Sequence, residues 1–282
     1  MRYLATGLLM RYQRMRAFRR AQSHRMSLPV EEVWRMALEV GPVRELRHIL
    51  GLIPASSRCK FCNAPFDGIG GIPFRILGVS RSSMNPQWCK GCMENTPTGG
   101  AEVELSLLFA DIRGSTSLAE GISASEYARL LNRFYAVATN VLVGTDALID
   151  KFVGDEVIGL YVPGFAGQDH PRLAVQAARD LLHATGHGNP GGPWLPVGAG
   201  VHTGRAFVGK IGSEGVTDIT ALGDAVNITA RLASQAKAGE VLVSEVAYKA
   251  AGENFGNLEQ RSLDLKGRSE PVDVRVLKVA SA

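Results

Sequence analysis

"IDKFVGDEVIGLY" (residues 149–161) decides how the second half of this chain is read. Two short apolar runs, "IDKFV" and "EVIGLY", meet at Gly154-Asp155, the kind of dipeptide that joins antiparallel strands in a tight hairpin. Such a hairpin needs no charge at its tip, yet this one carries both Lys151 and Asp155. They form either a surface ion pair or two working groups, and the flanking sequence decides which.

Outward from the hairpin the pattern alternates. "VELSLLFADI" (103–112) is an apolar strand running up to Asp111. "RGSTSLAEG" then opens a helix, and "SASEYARLLNRFYAVATNVLVG" (123–144) is a longer one, with Tyr127, Leu130, Leu131, Phe134 and Val137 at helical spacing. After the hairpin come a helix around "PRLAVQAARDLLHAT", the strands "LPVGAGVHTG" and "RAFVGKIG", a β-like "TDITAL" and the helix "GDAVNITARLASQA". "EVLVSEVAYKAAG", "RSLDLKG" and "VDVRVLKV" alternate again. This order predicts an α+β fold with helices packed on a mixed or antiparallel sheet.

Within that frame a few residues carry chemistry. Asp111, at the end of a buried strand, can cap the next helix, worth about 1 kcal/mol. The turn after it also presents the backbone amides of Gly114, Ser115 and Thr116 at a helix start, where anions bind. A carboxylate beside a phosphate cradle suggests a bridging divalent cation, and Asp155 would complete the site if the strands are neighbours. In "LGDAVNITARL", Asp224 suits an N-cap, and Asn227 and Arg231 stand four apart on one helical face. An amide beside a guanidinium suits a ribose oxygen and a phosphate, although a surface pair would look the same. The histidines have no ligand-like spacing, and His202 reads as structural.

The first third is different. All four cysteines fall into "CKFC" (Cys59, Cys62) and "CKGC" (Cys89, Cys92), separated by a loop rich in Gly, Pro and Ser. Two such knuckles place four thiolates around one ion. Structural zinc is the expectation, with an iron–sulfur cluster or a pair of redox dithiols as alternatives. Ahead of them, "SLPVEEVWRMALEVGPVRELRHILGL" predicts one or two short amphipathic helices, with Ser27 as cap and Pro29 in the first turn. "ENTPTGGAE" (94–102) reads as a turn-rich linker.

The formal charge is +4, but Arg2, Arg11, Arg14, Arg16, Arg19, Arg20 and Arg25 lie in a segment with no acid, and without those seven the remainder is −3. Residues 1–26 therefore read as a basic leader, disordered or partly helical, able to make a weak contact with an anionic membrane surface. A start at Met26 would explain it equally well. No apolar run reaches the ~18–20 residues of a membrane span. The leader makes a poor signal peptide, and a cytoplasmic location is expected. No aromatic-interleaved basic stripe accompanies the cysteines beyond Lys60 and Lys90, so no nucleic-acid partner is expected.

Taken together, residues 102–279 resemble the class III nucleotidyl cyclase catalytic domain, preceded by a four-cysteine metal-binding module over 27–97. "LFADIRGST", "DKFVGDEV", "GVHTGRAFVGKIG", "TALGDAVNITARL" and "LKGR" resemble the family's motifs in the family's order. The resemblance implies a ferredoxin-like domain that works as a homodimer with two shared active sites. It implies two Mg2+ or Mn2+ ions per site, held by Asp111, Asp155 and the Ile112 carbonyl. Asn227 would orient the ribose, Arg231 would stabilise charge at the α-phosphate, and Lys266 would grip the terminal phosphates. Lys151 and Thr220 correspond to the base-reading positions. Lysine only donates hydrogen bonds, as adenine N1 requires, and the Thr220 hydroxyl can accept from the 6-amino group. The implied substrate is ATP, converted to 3′,5′-cyclic AMP and pyrophosphate. GTP, a pyrimidine nucleotide, or a catalytically silent nucleotide-binding module are the alternatives. The family's basic residue after "GKIGS" is missing, and Lys210 is a candidate replacement.

Overall fold

The computed structural model describes residues 28–279 apart from 42–43, 84, 214–215, 253–254, 256–257 and 266–269. The basic leader, the cap Ser27 and the phosphate-gripping Lys266 lie outside the described residues.

The chain opens with α1 (Val30–Arg35), which runs into a π-helical turn, Met36–Val40. α2 (Arg44–Gly51), α3 (Gly71–Ile76) and α4 (Lys90–Asn95) complete the first third. Then follow β1 (Gly99–Ile112), α5 (Ser115–Gly121), α6 (Ala124–Gly144), β2 (Leu148–Val153), β3 (Glu156–Tyr161), α7 (Pro163–Ala166), α8 (His170–Ala184) and β4 (Val197–Ser213). β5 (Val216–Leu222), α9 (Asp224–Gln235), β6 (Glu240–Ser244), α10 (Glu245–Ala251), β7 (Glu259–Leu263) and β8 (Val272–Lys278) end it. No described helix is long and apolar enough to cross a membrane.

The strands form one sheet in the order β2-β3-β1-β4-β6-β8-β7, with β5 folded back on β4. Every pairing is antiparallel except β4 with β6. β1, β2, β3 and β4, linked by α6 and α8, make the split β-α-β pattern of a ferredoxin-like core, the α+β fold that the element order predicts and the family resemblance implies. "LPVGAGVHTG" and "RAFVGKIG", read as two strands, are instead one 17-residue strand. Residues 99–112 of β1 pair with β4 along their whole length, so no break is needed between the two segments.

β1 is buried on both faces, which is why it reads as a nearly continuous apolar run. Leu108, Ala110 and Ile112 pack under α6 and α8 through Phe134, Leu142, Val175 and Leu181. Val103, Leu105, Leu107 and Phe109 point the other way, and there they meet Trp34, Leu38, Trp88 and Met93 of the cysteine-bearing segment. That segment shares its core with the sheet. Trp34 donates its indole N–H to the Pro97 carbonyl at 3.1 Å, and Phe61 meets Phe165 edge-on at 5.1 Å.

α9 lies on this same face over β4. Gly200 makes the approach possible, since a Cβ there would stand 2.4 Å from the Ala233 nitrogen and 2.8 Å from the Thr229 oxygen. α9 starts at Asp224 with Gly223 as its N-cap, one residue before the cap expected from sequence.

Candidate active site

Asp111 ends β1 beside the β2–β3 turn. The Ile112 N–H donates to the Asp155 carbonyl at 3.2 Å, so the strand end and the hairpin tip are neighbours. Gly154 occupies the left-handed region, φ 60°, which the two-residue turn requires. Tyr135 of α6 fastens that turn, donating its hydroxyl to the Gly154 carbonyl and stacking on Phe152 at 4.6 Å.

The register of β1 with β3 sets Glu156 directly across from Asp111. Three carboxyl groups thus share one corner. Burial, then repulsion from Asp111 and Asp155, pushes the Glu156 carboxyl up to about 7. Burial also raises Asp111, with Arg113 opposing it and Asp155 adding to it. Arg113 bonds one Asp111 oxygen and reaches the Ser234 carbonyl at the end of α9 at 3.0 Å. The other Asp111 oxygen is buried with no hydrogen-bond partner among the described residues. A partnerless carboxylate oxygen, a second aspartate and a guanidinium where positive charge is wanted fit a divalent cation. Neither Arg113 nor Glu156 stands out in the sequence, because Glu156 gains its role from strand register.

A second corner lies on β2 and β5. Lys151 is half-exposed, with its ammonium 3.8 Å from the Asp150 carboxylate. The β2–β3 register shifts between Ile149 and Lys151, so Asp150 sits at an irregularity and is 3% exposed. Thr220 donates its hydroxyl to Asp150 Oδ2 at 2.9 Å, and Asp150 Oδ1 has no partner among the described residues. Burial raises the Asp150 pKa, against Lys151, the Thr220 bond and Lys60. Lys151 and Thr220 thus meet through a buried carboxylate, Asp150, which does not stand out in the sequence.

The remaining positions fall around these corners. Asn227 is exposed and Arg231 half-buried, one turn apart on α9. Val226 packs on the sheet and Ile228 and Leu232 in the core against β6 and β8, which fixes the helix face. Gly114 takes φ 69° as N-cap of α5, ahead of half-buried Ser115 and exposed Thr116. Lys210 is turned away from solvent, donating to the Met93 and Thr96 carbonyls at 3.2 and 3.3 Å, so it is not free for a phosphate. His202 is buried with its ring bonded to the Ser244 hydroxyl at 2.8 Å. No hydrogen bond or ion pair among the described residues joins Asp111 or Asp155 directly to Lys151, Thr220, Asn227 or Arg231.

The four cysteines converge. Their sulfurs lie within 4.8 Å of one another, all buried, with Cys62 Sγ and Cys89 Sγ 3.8 Å apart. Backbone N–H groups of Cys89 and Cys92 point at the sulfurs of Cys59 and Cys89 at 3.2 and 3.4 Å. A tetrahedral ion with bonds of about 2.3 Å needs sulfur spacings of about 3.8 Å, so the cluster is compatible with one metal ion. Arg47, fully buried, lies beside it. Its guanidinium donates to the Lys60 and Ala147 carbonyls at 2.8 Å and stacks on Phe165. Burial lowers its pKa, while Asp146, Cys62, Cys59 and Cys92 hold it up. Four thiolates around a dication carry net negative charge, which such a cation balances.

The profile of the adenylate and guanylate cyclase catalytic domain matches residues 101–277. The chain belongs to that family. This cyclase domain is 30% identical over 196 residues to an adenylate cyclase of Anabaena cylindrica, covering 66% of the chain and 39% of that protein. It is 29% identical over 191 residues to the terminal-differentiation-specific adenylate cyclase of Dictyostelium discoideum, covering 64% of the chain and 9% of that protein. The chain thus spans well under half the length of these curated relatives. Among solved structures, the guanylyl cyclase Cya2 is 30% identical with a TM-score of 0.60, covering 64% of this chain and 95% of that one. The adenylyl cyclase CyaB from P. aeruginosa is 29% identical with a TM-score of 0.55, covering 64% and 96%. Cyclases named for either purine are similar to this one, so the choice of base falls to the site's own chemistry. The cysteine cluster lies outside the matched residues.

Proposed function

We propose that this cyclase is an adenylate cyclase, forming 3′,5′-cyclic AMP and pyrophosphate from ATP at sites shared by two copies of the chain. Residues 102–279 are the catalytic domain, 27–97 the metal-binding module and 1–26 a basic leader. The observation that carries the reading is the Thr220–Asp150 bond. Because the hydroxyl spends its proton on the Asp150 carboxylate, its oxygen offers lone pairs to an incoming base. Lys151 beside it offers only donors. That pairing matches adenine, whose 6-amino group donates and whose N1 accepts. It opposes guanine, whose O6 accepts and whose N1 carries a proton.

In the reaction the ribose 3′-oxygen attacks the α-phosphorus, loses its proton, and forms the new O–P bond as the bond to pyrophosphate breaks. Asp111 and Asp155, with the Ile112 carbonyl, would hold Mg2+ or Mn2+, which when bound lowers the hydroxyl pKa and offsets phosphate charge. Asn227 orients the ribose, and Arg231 supplies fixed positive charge where it develops at the α-phosphate. Lys266 and the backbone amides of the Gly114–Thr116 turn would bind the phosphates. The sulfur spacing supports a single Zn2+ among the four cysteines, since an iron–sulfur cluster divides its cysteines among several irons and spreads them. The test is purified protein with Mn2+ and each of ATP, GTP, CTP and UTP, scored for cyclic product. ATP is expected to give the highest kcat/KM. No product from any of them, with the protein folded, overturns the reading.

A further inference from the structure

The two cysteine knuckles reach into the base-reading corner. Lys60 stands between Cys59 and Cys62, and its side chain is 10% exposed although it ends in a charge. The ammonium donates to the backbone carbonyl of Asp150 and lies 3.4 Å from Asp218 Oδ2. That carbonyl belongs to the residue where β2 slips register against β3, and a bulge residue commonly lacks a ladder partner. From the second knuckle, Trp88, which precedes Cys89 and is fully buried, donates its indole N–H to Asp218 Oδ1 at 3.4 Å. Asn85 donates to the Thr217 carbonyl at 3.2 Å. The knuckles are tied to each other as well, through the Lys60 N–H and the Gln87 carbonyl at 3.0 Å.

Asp218 and Thr220 lie two apart on β5, hence on one face, and Asp150 adjoins Lys151. Both strands that present the base readers are therefore gripped beside the reader, by residues inside or next to a CxxC pair. We infer that Lys60 is a positioning residue for base recognition. A metal ion closing the four thiolates fixes the knuckle, the knuckle fixes Lys60, and Lys60 holds β2 and β5 at the spacing in which Thr220 reaches Asp150. The four-cysteine module is then part of the specificity apparatus as well as a staple for its own loop. The assignment of base recognition to this corner rests on the function proposed above.

Lys60→Met keeps all four cysteines and removes only the charged tip. It is expected to retain the wild-type metal content while amide hydrogen exchange accelerates in peptides covering 148–153 and 217–222. Losing one charge-assisted bond should raise the KM for ATP about tenfold and narrow the preference for ATP over GTP, with kcat changing much less. Lys60→Arg should restore most of both. Asp218→Asn, which keeps every residue of both knuckles and an Oδ1 acceptor for Trp88, should reproduce the effect and serves if Lys60→Met loses metal. Unchanged exchange in both segments, or an unchanged ATP-to-GTP preference in active protein, overturns the inference. Faster exchange in a protein whose wild type turns over no nucleotide keeps the clamp and removes the cyclase reading instead.

Discussion

Glu156 shows how much one position gains from its neighbours. In sequence it is an acid after a hairpin turn. In the fold it faces Asp111 across the β1–β3 pair with Asp155 beside it, and its carboxyl rises from 4.5 to about 7. The native state therefore holds the Glu156 proton more tightly than the unfolded chain does. Stability from this source is full below pH 4.5 and is lost as pH rises through about 7. The metal-free protein should melt at progressively lower temperature across that window, and Glu156→Gln should flatten the dependence. Mn2+ added above pH 7 should raise the wild-type midpoint and do far less for Asp111→Asn. Thermal melts at several pH values check all three outcomes. Asp111 and Asp155 were legible because each sits in a local motif. Glu156 and Asp150 were not, because each depends on pairing register or a contact across the sheet.

At the scale of elements, α9 and the β2–β3 hairpin do the positioning. The position of α9, and with it of Asn227 and Arg231, depends on its resting directly on Gly200, where no side chain intervenes. Gly200→Ala drives a methyl into the Ala233 nitrogen and the Thr229 carbonyl, backbone atoms that cannot swing aside. A cost of about 1–3 kcal/mol is expected, with a drop in product formation larger than the loss of folded protein, since the helix must shift. Denaturant titration beside a cyclase assay separates the two. The knuckles are the other positioning element. Cys62→Ser, or strong chelation, should abolish bound metal and destabilise residues 44–95 by an amount on the order of several kcal/mol. Metal analysis and the emission of Trp34 and Trp88, both buried, report that change. The cysteine spacing foretold the cluster. It held no hint that Lys60 would cross to Asp150, because that contact spans 90 positions in sequence.

Across the whole molecule, the aspartate corner at Asp111 and Asp155 and the Asn227–Arg231 pair are not directly joined within one chain among the described residues. In the function proposed above, two copies share sites and each supplies one half. Asp111→Ala and Arg231→Ala, each inactive alone, should recover about a quarter of wild-type activity when mixed, since half of random dimers would then hold one intact site. No recovery in a mixture shown to exchange subunits counts against shared sites. The alternation of strands and helices from β1 onward in its main lines, the hairpin at Gly154, the aspartates at the strand end and hairpin tip, the Asn227–Arg231 spacing and the cysteine pairs were legible in the sequence, whereas β4 reads there as two strands. Each is written in residues a few positions apart, where periodicity and turn chemistry act. Which carboxylate orients Thr220, which acid faces Asp111, and where Lys60 reaches were decided only by the tertiary structure. Sheet register and the docking of the cysteine module bring those groups together from distant parts of the chain, and no local pattern encodes either.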